Sequence, residues 1–194
     1  IRDSPKPGYE FVGWEGITDS NRIQYDCNSD GLFTAVFQFS DEIILQNVVT
    51  ENTTLEGYQS YVVQEDITIN PGVTLIVTEG VKISMPEDGN IIVEGQLIIN
   101  GTEQNPVEIL PHSSAQDNRW GAICFNDATD SSSLNHLKLE GASVGIDPST
   151  HKGAISGVNS DISISHAEIE DVLFPVYLEG GYLHINPVSY THLT

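Results

Sequence analysis

ITINPGVTLIVTEGVKISMPEDGNIIVEGQLIINGTEQNPVEI, residues Ile67–Ile109, is a run of very short apolar-alternating pieces punctuated by Pro-Gly, Glu-Gly, Asp-Gly, Glu-Gly and Asn-Gly. Inside each piece the apolar residues fall on every second position: Ile67/Ile69, Val73/Leu75/Val77, Val81/Ile83/Met85, Ile91/Val93, Leu97/Ile99 and Val107/Ile109. Alternation over four or five residues gives strands with one buried face, and glycines supply the backbone freedom that the turns need. The phrase also recurs. Ile69 and Val93 are 24 residues apart, Leu75 and Ile99 are 24 apart, and Ile83 and Ile109 are 26 apart. Three short strands and three turns per unit of that length describe one coil of a solenoid that stacks on the next. The spacing predicts an all-β, parallel β-helix fold. Its hand is expected to be right-handed, from the chiral preference of parallel crossovers.

Composition agrees. The chain has 194 residues with 17 Gly and 9 Pro, and 28 acidic side chains against 7 basic ones give a net charge of −21. Such a surface repels phosphate backbones and anionic headgroups, so no nucleic acid partner is expected. No apolar run approaches the ~18 residues of a membrane-spanning helix, and no membrane insertion is expected. The two cysteines, Cys27 and Cys124, make no disulfide framework, and Cys124, in the apolar GAICF, reads as a packed side chain. The start at Ile1 has no initiator Met, so the chain is expected to lack the beginning of its N-terminal module. The last seven residues, VSYTHLT (188–194), are read as the translation of a sequencing-library transposon end. They are set apart from the fold, which is expected to continue naturally beyond Pro187.

Residues 1–39 differ in style, concentrating Tyr9, Phe11, Trp14, Tyr25, Phe33, Phe37 and Phe39. A hairpin IQYDC–NSDG–LFTAVF capped by GYEFVGW predicts a small β module with an aromatic core. The GYxFxGW element followed by TAVF resembles the β-grasp-like surface repeat of the Listeria–Bacteroides type, which implies an extracellular spacer or adhesion role. Residues 40–66 are expected to be a linker and cap strand protecting the open end of the solenoid over 67–187.

Beyond Ile109 the coils loosen and recover. Setting Leu134 on Ile164, 30 residues on, superposes His136 on His166, Leu139 on Ile169 and Glu140 on Glu170; Ala154 and Val176 are 22 apart. DPSTHKG, with His151 and Lys152, reads as an exposed loop excursion. The phrases PGVTL, NGTEQNPV and RWGAI resemble the right-handed parallel β-helix repeat proteins of bacteria, in particular those of secreted surface proteins that also carry lamin-tail or CotH-kinase domains. The resemblance covers about residues 54–186 and implies an extracellular or cell-surface location.

Few residues suggest chemistry. Asp26, Asn28, Asp30 and Gly31 occupy positions 1, 3, 5 and 6 of a calcium-loop pattern, but Phe37 stands where a bidentate Glu is needed; a polar hairpin turn competes with a calcium site. The stacked His136 and His166 read as a corner ladder or a metal pair short of a third ligand. Arg119, Trp120 and Lys152, with Asp117 and Asp127 in neighbouring loops, supply the parts of a carbohydrate-binding or lyase-type site. The signatures of polygalacturonase chemistry are missing between residues 67 and 186. Two functions are therefore expected to compete: a non-catalytic scaffold or adhesion segment contacting polysaccharide or cell-surface glycan, and a polysaccharide lyase or glycoside hydrolase whose catalytic coils lie elsewhere. No cofactor beyond calcium is suggested.

Overall fold

The computed structural model describes residues 9–14, 35–39, 42–112 and 119–192. It divides into two compact units, 1–43 and 44–194. In the first, Tyr9–Trp14 pairs antiparallel with Ala35–Phe39 across a bulge between Phe11 and Gly13. This ties GYEFVGW to the TAVF strand; the expected hairpin partner at 23–27 lies outside the described residues.

The second unit is a parallel β-helix of six coils with three strand faces. The first face stacks Val48–Val49, Ile67–Ile69, Ile91–Val93, Ile123–Asn126, Ile155–Val158 and Val176–Glu179. The second begins with Thr53–Leu55, Thr74–Thr78, Gln96–Asn100 and Ser132–Asn135, and the third with Ser60–Val62, Lys82–Met85, Val107–Pro111 and Leu137–Glu140. In the last two coils single strands, Ile162–Val172 and Leu183–His192, run through both faces and join them into one sheet. All these pairings are parallel and leave no strand within the stack unpaired.

The alternation seen in the sequence becomes columns. Ile67, Ile91, Ile123, Ile155 and Val176 lie in register on the first face, and Leu55, Val77, Ile99, Leu134, Ile164 and Ile185 on the second. Most of these side chains are fully buried. Burying a Val or Ile side chain contributes about 1.5–3 kcal/mol, so the columns are the main source of stability. Ile76 and Ile98, on the outward parity, stack directly on each other and are half-buried by that ladder.

Register corrects several expectations. Leu75 pairs with Leu97, a repeat of 22, and Val77 takes Ile99, because an unbroken five-residue strand slides by one full alternation without turning its buried face outward. Ile155, not Ala154, pairs with Val176. Residues 48–62 form a complete first coil within the segment expected to be linker and cap, and ahead of it Glu42–Ile44 pairs with Ser60–Val62 at the head of the third face, where a cap strand was expected. At the other end the strand rhythm does not break at Val188: Ala167 pairs with Val188, Glu168 with Ser189 and Ile169 with Tyr190. VSYTH alternates apolar and polar residues in the phase of the preceding coil, which is all that strand pairing requires.

Corners are sharp because single residues adopt positive φ. Asp127 (46°) and Asn159 (45°) turn the chain from first to second face, His136 (48°) and His166 (52°) from second to third, and Gly141 (70°) and Asp171 (53°) close the third. Asn, Asp and His are the side chains that tolerate this region best after glycine.

Candidate functional site

Between the second and third faces the coils differ in how many residues turn the corner. Asn100, Asn135, Ser165 and Asn186 are in register before it, and Val107, Leu137, Ala167 and Val188 after it. The third coil spends six residues there, 101–106, whereas the fourth, fifth and sixth spend one each: His136, His166 and Pro187. A protruding loop next to tight corners leaves a notch of about 750 Å³, lined among others by Glu103, Pro106, His136, Lys138, His166, Glu168 and Pro187. Pro106, His136, His166 and Pro187 each immediately precede the registered residues Val107, Leu137, Ala167 and Val188, one per coil.

The two imidazoles stack with centroids 4.6 Å apart and planes 12° from parallel, close to the ~4.8 Å strand spacing that sets them there. Nitrogen lone pairs lie in the ring plane, so two nearly parallel rings cannot both aim at one ion. Among the described residues no group of three or more His, Cys, Asp or Glu converges as a metal-ion site. Neither imidazole makes a hydrogen bond among the described residues, so their polar edges are available to a ligand. Lys138 Nζ lies 3.4 Å from Glu170 Oε2, and the Glu170 carboxylate pushes the Lys138 ammonium above its usual range.

None of the other candidate residues lines this notch. Arg119, at the approach to the first face of the fourth coil, donates from Nη1 to the Asp171 carbonyl at 3.1 Å and from Nη2 to its carboxylate at 3.3 Å. Trp120 is fully buried and donates its indole N–H to the Glu140 carbonyl at 2.7 Å. Both clamp the corner that closes the third face. Asp127 lies at the far end of the first-face strand and accepts from Asn159 Nδ2 at 2.9 Å. Lys152 places Nζ 4.8 Å from the Tyr177 ring centroid. Arg119 and Trp120 thus share one corner while Asp127 and Lys152 lie elsewhere, and each of the four has its own structural partner. Asp117, Asp26, Asn28 and Asp30 lie outside the described residues.

One expectation is overturned here. His151 does not belong to an exposed loop: it is 3% exposed. Residues 141–153 fold back as a strap over the first face, where Cys124 occupies the outward register between Ile92 and Ser156 yet is fully buried. Gly145 lies against both the Cys124 sulfur and His151 Cβ, with no room for a side chain, and its N–H bonds the His151 carbonyl at 2.8 Å. Ser143 N–H bonds the Gly121 carbonyl at 2.8 Å, and Ala142 bridges Trp120. Burial pushes the Cys124 thiol up to about 12, against a lowering from the Ile146 backbone and with a smaller push from Asp66. A protonated, covered thiol is a packing group rather than a nucleophile. On the strap's exposed side, Ser149 donates from both hydroxyl and N–H to Asp147, which holds that carboxyl below its ordinary value.

No family model, no curated protein and no solved structure matches this chain.

Proposed function

We propose that this chain is a non-catalytic segment of a large secreted bacterial surface protein, and that its β-helix is a rigid wall contacting polysaccharide at the corner carrying His136 and His166. The observation that carries the reading is the notch itself. Its lining comes from four successive coils, and on the fourth, fifth and sixth a linear polymer laid along the solenoid axis meets an equivalent one-residue corner. Rigidity supports it: a ligand that meets preformed parallel coils does not have to order them. Arg119 and Trp120, the residues best suited to a lyase-type role, are engaged in closing the third face.

The test combines binding with turnover. The protein is titrated calorimetrically with a panel of soluble oligosaccharides, and each is also incubated with it and assayed for new reducing ends and for unsaturated uronate. The expected result is saturable binding of at least one oligosaccharide without release of product. Product formation that disappears in Arg119→Ala would establish the carbohydrate-active enzyme instead.

A further inference from the structure

We propose that the notch selects an amine-bearing polysaccharide, one whose sugar units carry ammonium groups, over neutral or uronate-bearing chains; this rests on the polysaccharide reading above. Among the described residues every Lys and Arg is engaged: Lys82 with Glu108 at 3.0 Å, Arg119 with Asp171, Lys138 with Glu170, and Lys152 with Tyr177. Glu103 and Glu168, which line the notch, make no ion pair among those residues. The Glu103 loop is tied to the His136 corner at both ends, by Gly101 N–H to the Asn135 carbonyl and Val107 N–H to the His136 carbonyl, and Glu168 follows His166 by two residues on the fifth coil. Glu168 lies opposite Lys138 in register and shares the field of that ammonium with Glu170, so this part of the notch carries two carboxylates against one ammonium, and Glu103 adds a third carboxylate with no ion pair among the described residues.

Sign decides the class. A uronate polymer would bring anions to two carboxylates on a protein of net charge −21, and the one ammonium in the notch is already committed to Glu170. Ammonium groups on a sugar chain would instead find charge-assisted acceptors in Glu103 and Glu168, and the acidic surface would speed their encounter. The free imidazole edges, each with one donor and one acceptor nitrogen when neutral, suit sugar hydroxyls that both give and receive hydrogen bonds.

The experiment titrates the full chain with a glucosamine oligomer, at a pH where its amines are charged. Its fully N-acetylated counterpart, an oligogalacturonate and oligolysine are run in parallel, along with Glu103→Gln, Glu168→Gln and the double variant. The expected result is that the glucosamine oligomer binds in preference to the other sugars. Each Gln substitution is expected to weaken it by roughly two- to fivefold, in keeping with exposed ion pairs, and added salt to weaken it further. Circular dichroism of the variants checks that the fold is retained; both side chains are on the surface. Binding of the acetylated or acidic oligomer in preference to the amine would overturn the amine selection and leave the polysaccharide reading standing. Binding of oligolysine alone would identify a basic-peptide surface and overturn both, as would binding of no sugar at all.

Discussion

Two residues carry consequences that can be read one side chain at a time. Cys124 keeps its proton in the folded chain up to about pH 12, whereas the unfolded thiol loses it near 9.0. Between those values the native state holds one more proton than the unfolded state. Stability accordingly falls as pH rises through that window, by about 1.4 kcal/mol per pH unit, and is unaffected by this group below it. Chemical denaturation across the alkaline range should show that slope in the parent and a flatter one in Cys124→Ala. Equal slopes would mean that the thiol is not sealed. His136 offers a second check, because its φ of 48° belongs to the left-handed region. His136→Val adds a β-branched side chain where even His is strained, and should cost about 1–2 kcal/mol more than His136→Gly. Equal urea midpoints for the two variants would show that the corner relaxes.

At the level of elements, the strap over 141–153 is the feature that sequence pattern conceals. GASVGIDPSTHKG carries the Gly, Pro, Asp and Ser of an ordinary surface loop, and nothing in its alternation says that His151 and Gly145 face the wall. A signal did exist: GAICF runs apolar on both parities, and an outward Cys124 between two inward residues requires a cover. The strands themselves were legible because each alternates about an Ile, Val or Leu column, and the His136–His166 pairing followed from a 30-residue offset that the backbone keeps. Register within five-residue strands was not legible, since Leu75 meets Leu97 and Ile99 equally well by pattern. Nor was the notch, which arises from a difference in corner length rather than from any motif. Gly145→Leu tests the strap directly. Its side chain would collide with the Cys124 sulfur and His151, so a neutral disulfide reagent should label Cys124 at least tenfold faster than in the parent while strand circular dichroism is retained. Unchanged labelling would place the strap elsewhere. Within the wall, Gly157 stands between Phe125 and Leu178, and a Cβ there would lie 2.5 Å from Leu178 Cδ1. Gly157→Val should cost about 1–3 kcal/mol by overpacking, read as a lowered urea midpoint.

For the molecule as a whole, the β-helix turns sequence repetition into spatial repetition, and the functional proposal depends on that conversion. Columns of Ile and Leu make the wall rigid, corner residues set its edges, and one long corner loop beside three short ones opens a notch on an otherwise regular edge. Hydrogen–deuterium exchange with and without a saturating oligosaccharide locates the contact independently of affinity. Slowed exchange is expected in peptides covering 101–106, 136–138, 166–168 and 187–189, with 119–127 and the 141–153 strap unchanged. Slowed exchange around Arg119 and the strap, with none at the His136–His166 corner, would contradict it.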